Sequence, residues 1–314
     1  MKKILIIFAL TVVICAATYY YQGQWGQYGI GPGQFRYQSM LTLSPSNNIY
    51  VADTSNRRVQ YFTPLGSYLG QWGSGGTGPG QFQEPEGIAI SSNGTVYVSD
   101  CDNDRIEYFT LTGSFLGEWG TTGTGLEQFI EPEGVAVAAN GNVYMADSIL
   151  DRVKYFTDNG SYLGTFNMTS TGPLNGPVGV AIAPNGNVYV ADVLNYRIVY
   201  YTATGSYLGQ FGSAGYGPGQ FLVAQGVCVS ADSTVYVTDG WYKLHRVQYF
   251  TATGSFIGSF VIEDGPIGPA CPMGIASLGN RLYVSDWQNC RILYYDRNLT
   301  TEPASLGIIR SLYR

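Results

Sequence analysis

Two short acidic segments hold the residues best suited to chemistry. These are Glu84-Pro85-Glu86 and Glu131-Pro132-Glu133, one 47 residues after the other. In each, proline fixes its own φ and keeps the residue before it extended, so the two carboxylates are held apart along a stiff run. Brought together, Glu84, Glu86, Glu131 and Glu133 would offer oxygen ligands to a hard cation such as Ca²⁺, or an attractive surface to a positively charged partner. The plainer alternative is four solvated glutamates on a chain whose formal net charge is −6. Other reactive groups are sparse. His245 is the only histidine, so a multi-histidine zinc site cannot be assembled, and a Ser-His-Asp arrangement would have to use that one ring. It sits in the irregular segment Gly240–Arg246 with Trp241, Tyr242 and Lys243. That segment reads either as a raised partner-binding contact or as an inward-folded cap, and Trp287, directly after Asp286, joins it as a candidate contact.

The elements that must position these groups come from a repeat. Asp53, Asp100, Asp147, Asp192, Asp239 and Asp286 stand at steps of 47, 47, 45, 47 and 47 residues. Each is followed by an arginine that opens the next apolar run: Arg58, Arg105, Arg152, Arg197, Arg246 and Arg291. A period of this size with about four strand-like segments per copy is that of propeller blades, since helical repeats would show 3.6-residue periodicity. In the second copy, Gly87–Ile90 is an uncharged inner strand and Asn93-Gly94 a tight turn. Val96–Ser99 is β-branched and aromatic, Arg105–Phe109 alternates, and Gly113 turns the chain into Phe115–Trp119. Asp and Arg meet across the short hairpin and can satisfy loop backbone groups, and a sixfold pair fits structure better than a single active site. The aromatic pairs that recur with it, Tyr61-Phe62 and Tyr108-Phe109 among them, read as packing between blades.

The strings Gly134-Val135-Ala136-Val137, Gly141-Asn142-Val143-Tyr144-Met145-Ala146-Asp147 and Asp151-Arg152-Val153 resemble the NHL-repeat family of six-bladed β-propellers, over roughly Gly33 to Tyr295. The resemblance implies an all-β ring of four-stranded antiparallel blades and a tendency to bind partners, and it does not by itself imply a reaction. Blade one departs with Met40 in a slot where the others carry Gly, and blade five has two extra residues before Arg246. Some NHL propellers bind RNA on a basic face, but an acidic chain would repel a phosphate backbone, so no nucleic-acid partner is expected.

Composition agrees with one long domain. Charged residues make up 12% of the chain, against about 25% in an average soluble protein. Lys2-Lys3 followed by Ile4–Ala17 has the layout of a secretory signal and is short of the ~20 apolar residues of a spanning helix. The expectation is a signal over residues 1–17, cleaved after Ala17, with lipidation at Cys15 or an uncleaved anchor as the rivals. The mature chain would then be a single propeller over residues 18–314, secreted or in the cell envelope, with no membrane span. Gly23-Gln24-Trp25 lies 47 residues before Gly70-Gln71-Trp72, so the stretch at about 21–26 is an outer strand without a blade of its own. It is expected to complete blade six and close the ring, with Leu306–Ile309 in the tail 296–314 as the rival strand. In an oxidising compartment Cys271 and Cys290, both in blade-six loops on one face, are expected to form a disulfide, free thiols being the alternative. Four Asn-x-Ser/Thr triplets, at Asn93, Asn159, Asn167 and Asn298, are weak glycosylation signals. The function expected is non-catalytic binding or scaffolding of a protein or glycan partner through the loop faces. No cofactor is expected beyond Ca²⁺ at the four glutamates, and the alternative is a histidine-poor propeller lyase or lactone hydrolase.

Overall fold

The computed structural model describes residues 18–240 and 244–298, and these form six four-stranded antiparallel blades around a central channel. The expected signal, Trp241, Tyr242 and Lys243, and the rival strand Leu306–Ile309 lie outside the described residues. In blade two the strands run Pro85–Ile90, Val96–Asp100, Arg105–Phe109 and Phe115–Trp119 from the channel outward. The second strand is buried at every position in blades one to five, for example Val143–Asp147 and Val188–Asp192, and in blade six at all but its first residue, Arg281. β-Branched and aromatic side chains suit a strand covered on both faces. The outer strands, such as Tyr68–Trp72, are half exposed.

The core is divided among the seams. Six buried clusters lie one at each junction between neighbouring blades. At four junctions a fully buried phenylalanine, Phe35, Phe82, Phe129 or Phe221, is inserted from the connecting loop. Burying one such ring contributes about 2–3 kcal/mol. Nearer the axis the inner strands approach at backbone distance, which explains the recurrent glycine. A Cβ on Gly87 would lie 2.3 Å from the Glu133 carbonyl, and one on Gly134 would lie 2.3 Å from that of Val178. In blade one Met40 takes this slot, and its N–H donates across the same gap to the Glu86 carbonyl at 3.2 Å.

The N-terminal strand closes the ring. Thr18–Trp25 pairs antiparallel with Arg291–Asn298 and supplies the outer strand of blade six. Within the described residues it extends ahead of Tyr21, and there the Tyr19 hydroxyl meets that of Tyr236 of blade five at 2.6 Å and its ring stacks on Phe260. The partner strand runs on past Tyr295, held by Arg281–Asp296 at 2.6 Å and Arg297–Asp232 at 2.7 Å.

The expected Cys271–Cys290 disulfide is not formed, and the four described cysteines are free thiols. Cys290 occupies a left-handed position with φ 52°. Its Sγ is turned into the seam between blades six and one, beside the Tyr37 amide and the Trp287 carbonyl. Shared loops on one face therefore did not mean facing sulfurs.

Candidate functional site

Each Asp of the repeat does two jobs, and one of them aims the acidic segments. In blade one, Asp53 Oδ2 accepts from Arg58 Nε at 2.7 Å while Oδ1 accepts the Arg36 N–H at 2.9 Å. The pairs Asp147–Arg152, Asp192–Arg197, Asp239–Arg246 and Asp286–Arg291 close at 2.7, 2.5, 3.0 and 2.8 Å, and Asp100–Arg105 is looser at 3.5 Å. All six Asp are fully buried. Burial outweighs the hydrogen bonds and nearby cations at Asp53 and Asp147 and holds both carboxyls above the usual range. The arginines spend their remaining donors on loop carbonyls: Arg105, for instance, donates to Thr77, Gly78 and Gln81. Arg105 and Arg152 thus tie down the connecting loops. Asp100 Oδ1 in turn accepts the N–H groups of Gln83 and Glu84 at 2.9 and 3.0 Å, fixing the start of Glu84-Pro85-Glu86.

At the channel mouth the six blades present Ser39, Glu86, Glu133, Val178, Gln225 and Met273 just before the close-approach slot. Glu86 and Glu133 are half-buried there on neighbouring inner strands, and Glu131, exposed and with φ 55°, stands at the rim. The four glutamates act on one another and on two residues of the blade-two hairpin, Cys101 and Asp102. Burial and then the Glu133 charge push Glu86 well above the usual carboxylate range, with the Ser39 hydroxyl partly offsetting them. Burial and then Glu84 and Glu131 push Glu133 up to about 7. Glu84 is raised by burial and by the facing Asp102 carboxyl. The Cys101 thiol is pushed far up by burial and by the surrounding carboxylates, so it is not a nucleophile at neutral pH.

Asp102 is the member of this set that sequence reasoning missed. Hairpin alignment could have found it, because its slot is Ser55, Ile149 and Leu194 in blades one, three and four. The other sequence candidates lie elsewhere. The His245 ring nitrogen Nδ1 faces the Ala270 carbonyl, so it must donate there, in the seam between blades five and six. Among the described residues no serine or aspartate side chain hydrogen-bonds to that ring. Trp287 packs on Tyr37 with ring centroids 4.6 Å apart, beside the seam of blades six and one. Cys228 lines the channel, its thiol pushed up to about 12 by burial. Among the described residues no three acidic, histidine or cysteine side chains converge closely enough to hold a metal ion. A calcium reading therefore rests on the charge of the mouth and not on a preformed cage.

Two family profiles match the sequence, one described as a 6-bladed beta-propeller over residues 38–121 and one as an NHL repeat over residues 174–201. The chain is a six-bladed propeller that carries a match to the NHL repeat in blade four. No curated protein matches it in sequence. Among solved structures, the propeller is similar to a gluconolactonase from Xanthomonas campestris, at 14% identity and TM-score 0.65, covering 85% of this chain and 88% of that one. It is also similar to virginiamycin B lyase from Staphylococcus aureus, at 14% identity and TM-score 0.61, covering 89% and 98%. A third is a protein of unknown function from Bacteroides thetaiotaomicron, at 15% identity and TM-score 0.66, covering 90% and 76%. At such identities the likeness shows the fold alone. No described helix is long and apolar enough to cross a membrane.

Proposed function

We propose that the propeller is an extracytoplasmic, non-catalytic binding module whose channel mouth receives a cationic group of a protein or glycan partner. The observation that carries this reading is the set of Glu84, Glu86, Asp102, Glu131 and Glu133 on one side of the mouth. Burial first, and then the neighbouring carboxylates, raise Glu84, Glu86 and Glu133, and an incoming cation favours their ionised forms and releases protons. A lysine or arginine side chain, an amine on a sugar, or Ca²⁺ would each do so, and a phosphate backbone would be repelled. Calorimetric titration with Ca²⁺ and with a trilysine peptide tests the reading on the unaltered protein and on the Glu86→Gln/Glu133→Gln variant. Binding of either probe that weakens at least tenfold in the variant supports it. No binding, or equal binding by both proteins, places the partner site elsewhere on the loop faces.

A second reading is favoured by one observation: a recessed carboxyl near 7 at Glu133 matches what a general base needs at neutral pH. The fold neighbours named gluconolactonase and virginiamycin B lyase make lactone opening the reaction to try. Turnover of a lactone panel, with and without added Ca²⁺ or Mg²⁺, that is lost in Glu133→Gln would replace the binding reading with this one.

A further inference from the structure

A second recess lies away from the mouth, on the outer wall where blade five meets blade six. Blade six departs from the pattern of the other connecting loops. Pro272 pairs with Asp286, and the Cys271 carbonyl accepts the Trp287 N–H, as Pro85 and Glu84 do with Asp100 and Cys101, which puts Pro269 in the position of Phe82. Where Phe35, Phe82, Phe129 and Phe221 plug their seams, this loop has no phenylalanine and the seam holds Ile262 and Ala270, and Leu174 stands in the position for blade four. A crevice of about 310 Å³ opens between the outer strand Phe256–Val261 and the closing strand Thr18–Trp25.

Its lining is aromatic and acidic. Phe260 and Tyr295 pack with centroids 4.7 Å apart, Tyr21 stands edge-on to Tyr295 at 5.8 Å, and Tyr20 borders the opening. Tyr20 and Tyr21 are 51% and 55% exposed. Glu263 and Asp264 stand at the rim. The one cation there, Arg291, is fully engaged: Nε donates to Asp286, Nη1 to Gln24 Oε1 and Nη2 to the Glu263 carbonyl. Among the described residues the Glu263 carboxylate has no hydrogen-bond or ion-pair partner, and Asp264 uses only Oδ1, to accept the Ala270 N–H. The charges left unsatisfied are therefore both negative, near the exposed rings of Tyr20 and Tyr21.

We propose that this crevice binds a quaternary or methylated ammonium group, a site separate from the channel mouth. The attraction of a soft cation for ring faces, strengthened by two carboxylates at short range, selects such a head group over a neutral one of the same shape. A saccharide would need donors that the lining has already committed, apart from the tyrosine hydroxyls and the Gln24 amide nitrogen.

The test titrates the protein with choline and with 3,3-dimethylbutan-1-ol, its uncharged isostere, following ¹H NMR line broadening and calorimetric heats. Choline is expected to bind and the isostere to bind at least tenfold more weakly. Tyr21→Ala, on an exposed ring, is expected to weaken choline about tenfold. Glu263→Gln should weaken it severalfold, and Tyr68→Ala, the same strand position in blade one, should leave it unchanged. Phosphatidylcholine vesicles in a flotation assay distinguish the sources: co-flotation that free choline competes away assigns a lipid head group, and its absence assigns a soluble cation. Equal affinity for choline and the isostere, no binding of choline at millimolar concentration, or tighter binding of methyl glucoside than of choline would each overturn the proposal.

Discussion

Blades one and two place different side chains in the same slot, and the contrast separates what the ring requires from what it tolerates. In blade one Gln60 donates from Nε2 to the Gln34 carbonyl and accepts the Gly33 N–H on Oε1. Gln248 makes the same two bonds in blade five, to Gln220 and Gly219. Blade two has Glu107 there. Its Oε1 accepts from Gly80 at 2.8 Å, but Oε2 is buried without a partner, and burial pushes the carboxyl up to about 7. Blade three has Lys154, which donates to the Gly125 and Gln128 carbonyls and is lowered to about 8 by burial and by Arg152. An amide satisfies the loop's donor and acceptor together, whereas an acid or an amine satisfies one and must titrate to serve the other. The two blades that titrate in this slot are also the two that carry the acidic mouth.

The largest expected effect comes from setting a repeated acid against the unrepeated one. Asp53→Ala leaves Arg58 buried without its carboxylate and uncaps the Arg36 amide, which should cost about 3–5 kcal/mol. Asp102→Asn removes one of several repelling carboxylates and should leave stability within about 0.5 kcal/mol or raise it. Urea denaturation of the two variants at pH 7 measures the gap. Equal losses would mean that the mouth is as structural as the staples.

Glu107→Gln is the next sharpest comparison, because it converts blade two into blade one. A carboxyl raised in the folded state above its ordinary 4.5 keeps its proton longer when folded. Its favourable contribution is therefore present below about pH 4.5 and lost as pH rises through about 7. The shift corresponds to about 3 kcal/mol at most. The wild type should lose stability over that window, and Glu107→Gln should flatten that part of the pH profile and be the more stable protein at pH 8. The slope at Lys154 has the opposite sense: lowered when folded, it costs stability below about pH 8 and regains it toward its ordinary 10.5. Thermal melts from pH 4 to 9 check both, and a Glu107→Gln profile parallel to the wild type would show that Glu107 is ionised in both states.

What could be read from the sequence follows the same division. The staples were legible because Asp, Arg and the close-approach glycine recur in phase, and a constraint repeated six times shows itself as spacing. The ring closure was legible from the match of Gly23-Gln24-Trp25 to Gly70-Gln71-Trp72. Its extra residues were not, because Tyr19 is held by Tyr236, 217 residues away and in another blade. The polar slot of Gln60, Glu107 and Lys154 looked like ordinary solvent-facing alternation, since burial there comes from a loop folded over the strand. Cysteine pairing failed for a related reason: loop position says nothing about which way Sγ points. The crevice between the closing strand and the outer strand of blade five emerges only once Thr18–Trp25 is paired into blade six.

The smallest expected effect lies at the mouth, where titration and binding should be coupled. Glu133, pushed up to about 7 by burial and by Glu84 and Glu131, is partly protonated at neutral pH, and a cation seated beside it favours the ionised form. Uptake of the cation should then release up to one proton. Affinity should rise by up to about tenfold, or ~1.4 kcal/mol, per pH unit below 7 and level off above it. Glu133→Gln removes that proton and should give a flatter, weaker binding curve, while Glu107→Gln, in the same pair of blades but facing the connecting loop, should leave the slope intact. Trilysine titrations between pH 5.5 and 8.5, run in two buffers of different ionisation enthalpy, count the protons directly. A slope that survives in Glu133→Gln and disappears in Glu107→Gln would reverse the assignment and make the loop slot, not the mouth, the group that senses the ligand.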